Sequence, residues 1–194
     1  MRMGRFFLTG AMALMLGGCF GGAKVPATLL SLDSSAPPLA QPQRSSAAGQ
    51  AVTIDYPLIP KELATTRVPA EAGGTAVSYI KDLMWVETPD KLFQRLVQET
   101  VLRTTRRVVL DPRQSSLDPG LRLTGSLSKF GYDAGAGAVV VRYDGALSTG
   151  GGSRVETRRF EARVPADGTA RSVGPALNQA ANQVATEVAA WIGG

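Results

Sequence analysis

Leu121-Arg122-Leu123-Thr124-Gly125-Ser126-Leu127 alternates apolar and polar side chains, the pattern of a strand with one buried face. The run continues through Phe130 and Tyr132, breaks at Asp133-Ala134-Gly135-Ala136-Gly137, and resumes with Val139, Val141, Tyr143 and Leu147 set against Val140, Arg142, Asp144 and Ala146. A second break, Thr149-Gly150-Gly151-Gly152-Ser153, leads into a third run from Arg154 to Val164, with Phe160, Ala162 and Val164 inward and Arg159, Glu161 and Arg163 outward. Glycine-rich tips between alternating runs are hairpin connections, so residues 121–164 read as an antiparallel meander. Its apolar face needs a cover.

Two helices supply one. Thr88-Pro89-Asp90 combines a capping residue, a proline suited to the first helical position and an acid that complements the helix dipole. Leu92, Phe93, Leu96, Val97 and Val101 then share one face through about Thr104, which is a core stripe. A final helix opens at Pro175, with Leu177, Ala181, Val184, Val188 and Trp191 or Ile192 at helical spacing and Gly193 ending it. Shorter strands are expected at Thr28–Leu32, Ala51–Tyr56 (with Val52, Ile54 and Tyr56 on one side), Arg67–Pro69, Ala76–Ile80 and Arg107–Leu110, the third and fourth joined by Gly73-Gly74. Residues 33–50 are rich in Ser, Ala, Pro, Gln and Gly without periodicity and read as a flexible linker or long surface loop. The order implies an α+β fold: a single-domain antiparallel or mixed β-sheet with two helices packed on one face.

Composition narrows the chemistry. Histidine is absent, which removes the commonest general base and transition-metal ligand, and the chain has 1 cysteine. No P-loop, GxSxG, GxGxxG or paired-cysteine spacing occurs, so the chain reads as a non-enzyme without cofactor or metal. Arginines at 103, 106, 107, 154, 158, 159, 163 and 171 mix with Glu156, Glu161 and Asp167, which describes a solvated mixed-charge face rather than a nucleic-acid surface. The sharper alternative for those arginines is contact with anionic lipid headgroups.

The amino terminus is an export signal: Arg2 and Arg5, then the apolar run Phe6 to Leu16, then Gly17-Gly18. About 20 apolar residues are needed to cross a bilayer, so this run is too short to remain as a span. Leu16-Gly17-Gly18-Cys19 resembles the lipobox of bacterial lipoproteins, and a lone cysteine in an exported chain fits that role. The resemblance implies cleavage after residue 18, a diacylglycerol thioether on Cys19 and acylation of its freed amine, with palmitate as the expected chain. Cleavage removes Arg2 and Arg5 and lowers the formal charge from +5 to +3. Each buried methylene contributes roughly 0.8 kcal/mol, so two or three acyl chains hold the protein on a membrane. The expected division is a signal peptide over 1–18, a lipidated leader over 19–27 and a periplasmic domain over 28–194. The leader spans at most about 30 Å. Phe20, where many inner-membrane lipoproteins carry aspartate, favours the outer membrane.

Across nearly the whole mature chain the sequence resembles the auxiliary lipoproteins of ABC-type transport systems, the group that includes paraquat-inducible protein C. The resemblance rests on the lipobox cysteine with Thr28 to Ser34 soon after, Val52 to Pro57, and Val77 to Trp85 leading to Pro89 and Leu92-Phe93. It extends to Val109-Leu110-Asp111-Pro112, Phe160-Glu161-Ala162 and the alanine-rich last helix. It implies an outer-membrane docking subunit of a Gram-negative envelope, working with a mammalian-cell-entry substrate-binding protein and its ABC permease and ATPase on lipids or other apolar molecules. A free-standing lipid carrier or outer-membrane assembly lipoprotein is the alternative, and needs a cavity of a few hundred Å³ or more. Tyr79 and Trp85 flank an apolar segment and read either as a contact for a partner or lipid tail or as core anchors beneath the first helix. An open edge strand offers a route to homo-oligomerisation or partner pairing.

Overall fold

The computed structural model describes residues 25–38, 43–47, 49–73, 75–113 and 120–193. Cys19, the signal segment and the leader as far as residue 24 lie outside the described residues, as does Gly74 of the expected Gly73-Gly74 turn. One 7-stranded sheet carries two helices. The strands are β1 (Val52–Ile54), β2 (Arg67–Glu71), β3 (Val77–Met84), β4 (Val109–Leu110), β5 (Leu121–Asp133), β6 (Ala138–Thr149) and β7 (Arg154–Pro165). The helices are α1 (Pro89–Thr104) and α2 (Ala170–Gly193).

The meander β5–β6–β7 is antiparallel throughout, with Leu127, Tyr143 and Phe160 in one buried row and Phe130, Val141 and Ala162 in another. A bulge between Leu127 and Lys129 keeps both Leu127 and Phe130 inward across an odd spacing. The far edge of β5 is shared: β1 pairs in parallel with its first residues and β2 with its last, and Leu58 bridges to Ser126 between them. Outside these, β4 runs parallel to β1 and β3 antiparallel to β2. The sheet is therefore mixed. Gly125 is required where β5 meets β6, because a Cβ there would lie 2.4 Å from the Asp144 carbonyl oxygen and 2.7 Å from the Tyr143 ring.

Both helices cover one face and run in the same direction. Their C-terminal ends meet, with a Cβ at Gly193 falling 3.2 Å from Thr105. An aromatic row ties the layers together: Phe93 of α1 to Tyr143 (centroids 5.2 Å apart), Tyr143 to Phe160 (6.4 Å), and Phe160 to Trp191 of α2 (5.5 Å). The Tyr143 hydroxyl donates to the Thr124 carbonyl at 2.9 Å, and burial, with Asp55 adding to it, pushes its pKa far above the ordinary tyrosine value.

Four expectations change. The last helix starts at Ala170, not Pro175, because Thr169 accepts the first helical N–H groups and Asp167 holds Thr169; Pro175 sits inside the helix. Thr28–Leu32 contributes a single bridge, Leu30 to Trp85, since β3 bulges at Asp82 and offers no straight edge. Tyr56 is 53 % exposed while Val52 and Ile54 are buried, because β1 ends at Ile54 and the chain beyond leaves the helix-covered face. Thr88 occupies the cap position of α1 but its side chain makes no capping bond.

Candidate functional site

Two surfaces are built distinctly enough to serve as docking sites. The first is the outer seam between α1 and α2, which a strap of the chain crosses after Leu30. The Asp33 N–H donates to Asn178 Oδ1 at 3.1 Å and the Ser35 N–H to Asn182 Oδ1 at 2.7 Å, while Asn182 Nδ2 donates back to the Asp33 carbonyl at 2.8 Å. Arg103 of α1 donates to the carbonyls of Ser34 (3.2 Å) and Ala36 (2.7 Å). Further along, the Arg44 guanidinium caps the last carbonyls of α1 at Leu102 and Thr105. Arg107 does the same for α2, donating to the Ile192 carbonyl at 2.7 Å. Residues 33–36, which composition reads as linker, are thus pinned to both helices, and Arg44 beyond them to the end of α1. Where the two C-terminal ends meet, a groove of about 870 Å³ opens between Ser45, Gln50, Thr104, Arg106, Thr186 and Ala190.

The second surface is the uncovered face of the sheet. Its charges are matched row by row: Asp144 with Arg159, Glu161 with Arg142 and Arg163, Glu71 with Lys129, and Asp55 with Arg122 at 2.8 Å. The hydrogen bond from Arg142, reinforced by Arg163 against burial, holds the Glu161 carboxyl below its usual range. Beside this lattice Leu58 is 76 % exposed. Among the described residues no three His, Cys, Asp or Glu side chains come together as metal ligands would.

A sequence model of a family described as the ABC-type transport auxiliary lipoprotein component matches residues 30–189. The chain belongs to this family. The match begins at Leu30, the residue that bridges to Trp85, and takes in the strap, the sheet and all but the end of α2. Among solved structures, the auxiliary lipoprotein chain is similar to protein XCC0632 from Xanthomonas campestris, at 16% identity and a TM-score of 0.66, covering 88% of this chain and 94% of that one. A second, solved as an uncharacterized protein, has 16% identity and a TM-score of 0.61, covering 77% and 96%. At such identities the likeness is one of fold. No curated protein sequence matches the chain significantly.

The two aromatics singled out from sequence are not brought together as one contact surface. Trp85 is 1% exposed and packs on Phe130 with ring centroids 5.4 Å apart. Tyr79 is half-buried on β3, with the Arg67 guanidinium 4.1 Å from its ring centre and its hydroxyl 3.4 Å from the Glu62 carbonyl. The sequence reading passed over Asn178, Asn182 and Arg44, and placed Arg103 on a solvated mixed-charge face, whereas it holds the strap. The signal for the first two was present: asparagines four apart in a helix otherwise rich in alanine.

Proposed function

We propose that this auxiliary lipoprotein is anchored to the outer membrane of a Gram-negative bacterium through a lipidated Cys19 and faces the periplasm. There it docks a mammalian-cell-entry transporter, meaning a substrate-binding protein with its ABC permease and ATPase, and so assists the movement of lipids or other apolar molecules across the envelope. Membership of the transport auxiliary family carries this reading. In it the protein itself catalyses nothing and holds no cofactor beyond its covalent lipid.

The filling of the core supports docking over a free-standing lipid carrier. Trp85, Phe93, Phe130 and Phe160 occupy the space between sheet and helices with almost no exposure. The larger grooves among the described residues are open to solvent rather than enclosed, with side chains such as Ser45, Gln50, Arg106, Asn178 and Gln183 along them. Acyl chains need an apolar pocket of a few hundred Å³. The tether fits the same role, since eleven residues from Cys19 to Leu30 reach at most roughly 40 Å.

Fractionation of envelopes tests the anchor. Wild type stays with the outer membrane in high salt, whereas Cys19→Ala gives an uncleaved or soluble product. A Cys19→Ala variant that still fractionates with the outer membrane in high salt contradicts the reading.

A further inference from the structure

The two sides of the sheet end differently. On one side β4 has 2 residues, and β3 is interrupted by a bulge at Asp82 (φ 58°) and bridged by Leu30. These are the devices by which proteins blunt a sheet edge. On the other side β7 runs 12 residues in unbroken register with β6, has no proline before Pro165, and pairs with no other strand among the described residues. From Arg154 to Arg159 it is exposed on both faces. A long, regular edge of this kind is a template for another strand.

We propose that β7 pairs antiparallel with β7 of a second copy of this chain about a two-fold axis at Phe160, making one continuous sheet across two molecules. An axis perpendicular to the sheet pairs only residues that share a face. Centred on Phe160, it pairs every residue from Val155 to Pro165, and sets Arg159 opposite Glu161 of the second copy and Glu161 opposite its Arg159. Within one copy Asp144 already faces Arg159 and Arg142 faces Glu161. The row across the junction therefore reads Asp144, Arg159, then Glu161 and Arg142 of the second copy, with signs alternating throughout. Centring on Arg159 would set Arg159 against itself, and centring on Glu161 would set Glu161 against itself and Arg159 against Arg163. Directly opposed like charges are destabilising. Centring on Arg159 gives the same overlap on β7, so charge selects the Phe160 register. The pairing does not depend on the lipid anchor.

The test is a charge exchange between copies, read by sedimentation velocity of the full-length chain in a density-matched detergent. Wild type is a dimer. Arg159→Glu puts acids opposite acids at both symmetry-related positions, Glu161→Arg puts bases opposite bases, and each associates at least about tenfold more weakly. Mixing the two variants restores both pairs and the dimer. In an otherwise native sheet, Arg159→Cys mixed with Glu161→Cys forms a disulfide-linked dimer on oxidation, because directly paired strand residues lie within disulfide range. A monomeric wild type, an oligomer indifferent to both reversals, or a cysteine pair that does not cross-link overturns the proposal.

Discussion

Asn182 holds Ser35 across a separation of 147 residues: its side-chain oxygen accepts the Ser35 N–H at 2.7 Å, while its amide nitrogen donates to the carbonyls of Asp33 and Asn178, both at 2.8 Å. A buried amide with all these partners fixes the strap to α2 at one register, and leaving such groups unpaired is costly.

Replacing Asn182 removes its bonds to Ser35, Asp33 and Asn178 at once. Asn182→Ala lowers stability by about 1–3 kcal/mol and frees the strap. The check is thermal unfolding together with limited trypsin digestion. Cleavage after Arg44 becomes fast in the variant, because that side chain no longer stays on the last carbonyls of α1.

The contact between β5 and β6 at Gly125 predicts a second effect. Gly125→Ala drives a methyl group into the Asp144 carbonyl and the Tyr143 ring, and costs about 1–3 kcal/mol by overpacking. Chemical denaturation measures it, and a variant as stable as wild type contradicts the described register.

The meander, both helices and the inward set Phe160, Ala162 and Val164 were readable from periodicity, because a half-buried strand and an amphipathic helix print their burial directly on the sequence. Pairing across long separations was not. Nothing local announces that β1 and β2 share one edge of β5, or that the residues between them bridge through Leu58. The strap was hidden for a similar reason: its partners are backbone groups, which any residue supplies, and its side-chain partners Asn178, Asn182 and Arg103 sit on other elements. Pro175 misled because proline is common at helix starts, while the true start depends on the Asp167–Thr169 pair ahead of it.

That pair gives a pH dependence. Hydrogen bonds from the Thr169 hydroxyl and N–H hold the Asp167 carboxyl below its ordinary value of 3.8. A folded-state pKa below the unfolded one contributes stability that is whole above the ordinary value and lost as pH falls through the lowered one. Asp167→Ala is therefore less stable than wild type at pH 7, and the gap narrows as the medium is taken below about pH 4. Melting curves at several pH values decide it, and a gap that widens in acid is inconsistent with this role.

The most direct measurement of the transport role is affinity purification of the tagged full-length lipoprotein from mildly solubilised envelopes, with bound proteins and extracted lipids both identified. Docking predicts recovery of a mammalian-cell-entry substrate-binding protein, with or without its permease and ATPase. Stoichiometric lipid recovered without any of those proteins would contradict it and favour a carrier.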